Sequence, residues 1–342
     1  MMVKVLVAAG DGIGPEVVEA SLHVIDGLGL DLEILMEPVG MAGYGERGAA
    51  ITDGTVDLAR EADAILFGAV TTPPPSTESY RSPVLTLRRE LDLYANVRPA
   101  RPLVPWLSRT GPPPTNGASS PLDVIVVREN TEGLYVCRER EVEGGVVAER
   151  LITEAGTERT VRFAARLAIE RERRKVTCVH KANLLRMSDG LFLECFRRVM
   201  EEEAPDLPVS DMHVDATAAA MVSDPSSLDV LVAPNMYGDI LSDLAAALTG
   251  GLGLAPSACF GEGTPLFEPV HGSAPGIAGK GVANPIGCML SAAMMLEHLG
   301  HHLEAANLVS AVVGTVKAGV LTPDLGGQAT TLGFADEVRK RL

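Results

Sequence analysis

Hydrophobic residues fall in short runs separated by glycine, proline and polar positions. Val3 to Ala9 is a β-branched run of strand length, followed by GDGIGPE and then by Val17, Val18, Leu22, Val24 and Ile25 at helical spacing. That order reads as strand, glycine turn, helix. Ala64 to Ala69 (AILFGA) is a buried-strand pattern ending in TTPPP, and Leu85 to Leu93 reads as helix. Val124 to Val127 (VIVV) is a strand; a helix opens at Thr160 to Ala168 and ends near RERRK; VTCVHKAN then reads as strand followed by loop. Val230 to Ala233 (VLVA) is a strand leading directly into NMYGDILSD, Asn235 to Asp243, which reads as a helix start. Ile286 to Leu299, Ala305 to Ala318 and Phe334 to Leu342 carry helical patterns. Strands alternating with helices predict an α/β fold with a largely parallel sheet. TGPPPTNGASSP, Thr110 to Pro121, suits neither helix nor central strand and is expected to be a surface loop.

At 342 residues the chain can form two domains or one large one, and 46% hydrophobic residues make it globular. Its 29 basic and 45 acidic residues give a net charge of −16, which argues against nucleic acid as a partner and suits a solvated surface. No apolar run approaches the roughly 20 residues that span a bilayer. The N-terminal MMVKVLVAAGDGIG lacks a small-residue cleavage site, so it does not read as a signal peptide. The five cysteines are scattered and odd in number without a CxxC, as expected of reduced thiols in a cytoplasmic protein. GDGIGP has G-x-G but Pro15 where a third glycine would follow, so the dinucleotide fingerprint is incomplete and a tight strand-to-helix turn is the simpler reading.

The candidate chemistry lies elsewhere. Asp239 and Asp243 are four apart on the expected helix and share a face. Like charges so placed cost about a few tenths of a kcal/mol unless a positive group lies between them. With Asp215 they could form an oxygen-only site, suited to Mg²⁺ or Mn²⁺ rather than zinc; for any one of them taken alone, capping a helix or pairing with a basic residue is the simpler reading. Arg88, Arg98 and Arg128 either face solvent singly or converge on a carboxylate, which a guanidinium fork matches. Lys181, at the carboxyl end of a strand, and Tyr135 are candidate proton-transfer groups, against the plainer readings of surface charge and packing. Phe267 to Pro285 is a glycine- and proline-rich loop suited to close backbone approach to a ligand.

Taken together, GDGIGPE, LDLYANVRP, RENTEGLY, HKAN, NMYGDILSD, HGSAP-x-IAGKG-x-ANP and TPDLGG resemble the β-decarboxylating dehydrogenases, the family of isocitrate, homoisocitrate, 3-isopropylmalate and tartrate dehydrogenases. The resemblance runs from residue 10 to residue 327. It implies two interleaved α/β domains rather than the usual dinucleotide fold: roughly 1–93 with 247–342, binding the cofactor, and roughly 94–246, carrying the dimer contact. It implies that Asp239 and Asp243 hold Mg²⁺ or Mn²⁺ with Asp215 of the other subunit. Arg88, Arg98 and Arg128 would grip malate carboxylates, and Tyr135 and Lys181, the latter from the partner, would move protons. NAD would contact Thr72, Asn183, Glu268, His271, Gly272, Ser273, Ala274, Gly276, Ile277 and Asn284. A homodimer with shared sites is implied, and dimer against tetramer stays open.

The substituent on malate C3 is decided before Arg88, in YRSPVLTLRR. Arg81 beside Ser82 favours an anionic γ-group, a carboxylate or an acid such as a phosphonate, provided Arg81 points inward. Val84 and Leu85 suit an apolar branch, so a 3-isopropylmalate dehydrogenase is the alternative. A non-catalytic regulatory subunit of the same family is disfavoured, because every arginine, the tyrosine and the metal aspartates are present. NAD is expected over NADP: Gly276, Ile277, Pro323 and Gly327 offer no cation or phenol to a 2′-phosphate. The aspartate that NAD-using relatives place at Gly276 is missing, so NAD binding should be weaker and less discriminating.

Overall fold

The computed structural model describes residues 2–72, 80–110 and 121–342. In chain order the first elements are β1 (Val3–Gly10), α1 (Gly14–Asp26), β2 (Leu32–Met36), α2 (Gly40–Arg47), α3 (Asp53–Glu61), β3 (Ala64–Ala69), α4 (Pro83–Glu90), β4 (Ala95–Ala100) and β5 (Val124–Glu129). Next come β6 (Glu139–Val142), β7 (Gly145–Ala148), α5 (Glu154–Glu170), β8 (Val176–His180), α6 (Ser188–Glu203), β9 (Val209–His213), α7 (Val214–Ser223), β10 (Val230–Ala233) and α8 (Asn235–Leu248). The last are β11 (Pro256–Phe260), β12 (Leu266–Pro269), α9 (Ile286–His298), α10 (His302–Lys317) and α11 (Thr331–Arg339). Among the described residues no helix is long and apolar enough to cross a membrane.

The chain forms two compact units, Met1–Leu93 with Gly251–Leu342, and Tyr94–Gly250. In the first, the strands follow the order β2-β1-β3-β12-β11, all parallel except the β11–β12 pair. Its core joins Leu6, Ile65 and Phe67 from the strands to Val56, Leu87 and Leu91 from α3 and the α4 end, with Val84 packed against them. In the second unit the order is β4-β5-β10-β8-β9, with β4 antiparallel to β5 and the rest parallel. Its core joins Val124, Val126, Val179 and Leu231 to Met221, Leu241 and Ala245 of α7 and α8. β6 and β7 form a separate hairpin whose Val142 and Val146 are exposed.

The expected α/β alternation and largely parallel pairing are present, with one antiparallel pair in each unit. The expected helix at Leu85–Leu93 ends at Glu90, and the chain turns through Asp92 at φ 46° toward β4. β4 alternates apolar Ala95, Val97 and Pro99 with polar Asn96 and Arg98, which occupy one of its faces. Arg98 lies opposite Val126 and Asn96 opposite Arg128, so both arginines project from one face of this strand pair. The Thr110–Pro121 loop falls, for residues 111–120, outside the described residues.

α8 lies across that face because Gly238 gives it room. A Cβ on Gly238 would stand 2.7 Å from Arg128 Cβ and 2.8 Å from its Cγ. Overpacking of this kind typically costs about 1–3 kcal/mol. Gly238→Ala is therefore expected to lower the urea unfolding midpoint; a midpoint equal to that of the unmodified protein would contradict the close approach.

Candidate active site

β5 delivers Arg128 at its carboxyl end, and the chain leaves β10 through Pro234 directly into α8. β10 runs parallel to β5 with Ala233 opposite Arg128, so α8 starts beside the arginine. The face carrying Asp239 and Asp243 holds guanidinium groups. Arg98 Nη1 donates to Asp239 Oδ1 at 3.2 Å, to Asp243 Oδ1 at 3.3 Å and to Ser242 Oγ at 2.9 Å. Arg128 Nη1 donates to Asp239 Oδ1, and its Nε and Nη2 donate to Asn235 Oδ1 at 2.9 and 2.7 Å. The like-charge repulsion of the i,i+4 aspartates is thus offset by two arginines, one of them only 1% exposed.

Tyr135 sits in a short 3₁₀ turn, Leu134–Val136, and its hydroxyl donates to Asp239 Oδ2 at 2.5 Å. The Arg128 guanidinium lies over its ring, 4.8 Å from the centroid. Burial, aided by the Asp239 carboxylate and opposed by Arg128, raises the Tyr135 hydroxyl above its ordinary pKa, so it stays protonated through the neutral range. Burial is also the main reason the Asp243 carboxyl is pushed up, against Arg98.

Lys181 follows β8, and its ammonium pairs with Asp215 in the first turn of α7. That hydrogen bond holds the Asp215 carboxyl below its ordinary value. Asp215 does not join Asp239 and Asp243 within one chain: no group of three His, Cys, Asp or Glu side chains that could hold a metal ion occurs among the described residues. The single chain therefore brings together two of the three candidate metal carboxylates, and pairs the third with the candidate base. The loop at Lys181 is pinned by residues that the sequence did not single out. Lys181 N–H donates to Asp189 Oδ2 at 2.6 Å, and Ala182 N–H donates to His180 Nδ1 at 3.0 Å. Asp189 is fully buried and also pairs with Arg150.

Apart from Asn183, the other candidates lie in the first unit. Arg88, at the end of α4, is buried and donates from Nη2 to Glu268 Oε1 at 2.5 Å. Arg81 stands outside: it pairs with Asp53 at 3.1 Å, with side-chain exposures of 50% and 90%. Ser82 is the N-cap residue of α4, and Leu85 is half-buried.

The glycine turn anchors the loop that contains the candidate cofactor residues. Gly12, at φ 61°, lets the backbone approach so closely that a Cβ would stand 1.9 Å from Ser273 O. Ile13 N–H donates to Ser273 O at 2.9 Å, and Thr71 Oγ1 donates to Ser273 Oγ at 2.9 Å. Asp11 fixes Thr71 in turn, accepting its N–H at 2.9 Å and that of Met41, in the first turn of α2, at 2.7 Å. The motif that mimics a phosphate loop therefore contributes an acidic brace. Thr72 and Asn183 are exposed, as are Gly272, Gly276 and Ile277, whereas Ala274, at φ 39°, is half-buried. Burial lowers the His271 pKa, keeping the ring neutral. Asn284 donates from Nδ2 to Asp324 Oδ2 at 3.0 Å and accepts Ile286 N–H at 3.0 Å. One expectation changes: a cation does stand at Gly276, because Lys280 Nζ donates to its carbonyl oxygen at 2.8 Å. The sequence alone hid it because the two residues are one loop turn apart rather than adjacent.

This geometry agrees with comparisons made over the whole chain. Residues 4–338 match the family model for isocitrate/isopropylmalate dehydrogenase. The homoisocitrate dehydrogenase of Methanocaldococcus jannaschii is 44% identical, the alignment covering 100% of this chain and 99% of the relative. The 3-isopropylmalate dehydrogenase of Methanothermobacter thermautotrophicus is also 44% identical, over 99% and 98% of the two chains. The isocitrate/homoisocitrate dehydrogenase of Thermus thermophilus gives 44% over 100% and 99%. The crystal structure of isocitrate dehydrogenase from Methylococcus capsulatus superimposes with a TM-score of 0.91 at 41% identity, covering 99% of each chain. With the two arginines, the paired aspartates and the tyrosine gathered on one helix face, and relatives matched end to end, the chain belongs to the isocitrate/isopropylmalate dehydrogenase family.

Proposed function

We propose that the protein catalyses the NAD-dependent oxidative decarboxylation of a 3-substituted (2R)-malate, giving a 2-oxo acid and CO₂. The observation that carries this reading is the cluster of Arg98, Arg128, Tyr135, Asp239 and Asp243 around α8. The reaction needs cations for the malate carboxylates, hard oxygen ligands for a divalent ion and a protonated acid for the last step, and this cluster offers all three. Asp239 and Asp243 would hold Mg²⁺ or Mn²⁺, with Asp215 as the third carboxylate from a second copy. The donor chemistry fits: both α8 carboxylates face one side of the helix and bring oxygen ligands alone. The bound ion supplies Lewis-acid stabilisation of the negative charge that develops as CO₂ leaves.

The chain's own residues do the rest. Arg98 and Arg128, with Arg88 retained on the resemblance, bind and orient the malate carboxylates. Lys181, supplied like Asp215 by a second copy, would take the proton of the 2-hydroxyl, and bound NAD would supply the hydride acceptor for C2. Tyr135, still protonated at neutral pH, delivers a proton to C3 after decarboxylation. The loop from His271 to Asn284 would carry the cofactor, with Glu268, Ser273 and Asn284 held in place by the contacts described. NAD is preferred, but the Lys280 ammonium on the Gly276 carbonyl adds positive charge there and favours a modest ratio over NADP.

The favoured substrate carries an anionic γ-group, isocitrate-like or homoisocitrate-like. Arg81 does not point inward as this preference requires, but the partner it has among the described residues is Asp53, in an exposed ion pair of a kind worth about 0–1 kcal/mol, so leaving it for a substrate acid would cost little. Two relatives named for homoisocitrate support this, while the 3-isopropylmalate dehydrogenase of equal identity keeps an apolar branch on Val84 and Leu85 as the second reading. The test is a panel of isocitrate, homoisocitrate, 3-isopropylmalate and a malate bearing a phosphonate, each with NAD or NADP, with Mg²⁺ or EDTA. Reduced cofactor should form only with the metal, faster with NAD, and best with an acid-bearing malate. Arg81→Ala should narrow that preference by about tenfold, the worth of one charged hydrogen bond. Preference for 3-isopropylmalate would transfer the role to Val84 and Leu85, and activity undiminished by EDTA would refute the metal reading.

A homodimer with shared sites completes the proposal. Lys181 and Asp215 are paired with each other, away from Asp239 and Asp243, and the same unit exposes apolar Leu184, Met187, Val222 and Ile240, which a second copy could cover. Refolding an inactive Lys181→Ala chain together with an inactive Tyr135→Phe chain should recover part of the activity through hybrid dimers. Hybrids that form and stay inactive would show that each chain builds its own site.

A further inference from the structure

We propose that Asn235 is a positioning residue: it aims Arg128 at the carboxylate site while leaving the arginine's charge intact. This rests on the role proposed above for Arg128. Asn235 opens α8, is fully buried, and takes both Nε and Nη2 of Arg128 on its single Oδ1. Two donors from one edge of a planar guanidinium converging on one acceptor fix both the direction and the tilt of the group. The opposite corner, Nη1, is thereby turned to Asp239, and the flat face to the Tyr135 ring.

The choice of an amide is informative. A carboxylate at this position would grip the same edge more strongly, but it would cancel the positive charge that a substrate acid or Asp239 is meant to meet. An amide oxygen orients without neutralising. The amide also carries a penalty in this position, because Asn235 Nδ2 is buried with no hydrogen-bond partner among the described residues. Turning the amide over would satisfy nothing, since it would set Nδ2 against the guanidinium donors. A polar side chain buried with half its hydrogen-bonding capacity unused, and the other half doubly used on one arginine, is better explained by that arginine than by packing.

Asn235→Asp keeps the shape and the acceptor and adds charge; Asn235→Leu keeps the branched outline, is somewhat larger, and removes the acceptor. Each variant is compared with the unmodified protein by thermal unfolding, by the KM values for the hydroxy acid and for NAD, and by Mn²⁺ binding followed by electron paramagnetic resonance without acid or NAD. Asn235→Asp should raise the hydroxy-acid KM at least tenfold and leave the NAD KM within twofold. It should also tighten Mn²⁺ binding at least threefold, because a carboxylate at 235 draws Arg128 away from Asp239. Asn235→Leu should raise the acid KM without tightening Mn²⁺. A residue that merely packs would weaken both ligands together in both variants. That outcome, or an acid KM within twofold of the original in Asn235→Asp, overturns the proposal. If Asn235→Asp does not fold, Asn235→Leu decides it: a rise confined to the acid KM supports positioning, and a parallel rise in both KM values refutes it. Wild-type inactivity on every acid of the panel overturns the proposed reaction, and the Mn²⁺ comparison then judges Asn235 alone.

Discussion

Two buried positive groups against two aspartates on one turn of helix set the terms for the second unit. Arg98 and Arg128 could not project from a sheet face under a helix unless something negative met them, since an unpaired buried charge costs several kcal/mol. Asp239 and Asp243 could not sit four residues apart on that helix without something positive between them. Each pair solves the other's problem. The arrangement is held by backbone features that leave no slack: the antiparallel β4–β5 register puts the arginines on one face, and Gly238 lets α8 come down onto Arg128. On the reading proposed above, stability and chemistry would use the same four charges: a divalent ion would replace the guanidinium groups on the aspartates, and a substrate acid would replace the aspartates on the guanidinium groups.

The first unit solves a different problem, which is to hold a glycine-rich loop still. Ser273 is gripped through its carbonyl by Ile13 and through its hydroxyl by Thr71, and Asp11 braces Thr71 and the start of α2 together. The φ of Gly12 and the absence of its Cβ allow that contact. A motif that looks at first like an incomplete phosphate loop thus has a complete structural explanation in the loop it supports.

Much of this could be read along the chain where local pattern and tertiary role agree. The apolar runs at Val3, Ala64, Val124, Val176 and Val230 are strands because both their faces are covered, and VLVA-PNMYGD is strand then helix in the structure as in the pattern. The i,i+4 spacing of Asp239 and Asp243 already required a positive neighbour, and the structure supplies it from β4 and β5. β4 was missed although apolar Ala95, Val97 and Pro99 alternate there with polar Asn96 and Arg98: the run is short, contains a proline and buries its polar residues. Asn235 and Asp189 were missed for a related reason. Their partners are 107 and 8 residues away, and only the fold brings Arg128 and the Lys181 amide to them. The Lys280 ammonium at Gly276 shows the same limit on a smaller scale.

The α8 carboxylates and the two arginines are thus read as one exchangeable charge cluster. Crystals soaked in Mn²⁺ and a hydroxy acid, with data collected on the manganese absorption edge, test this most directly. An anomalous peak is expected against Asp239 and Asp243, with Arg98 and Arg128 turned from the aspartates to the carboxylates of the acid. A peak elsewhere, or arginines still paired with Asp239 while the acid is bound away from them, would contradict it.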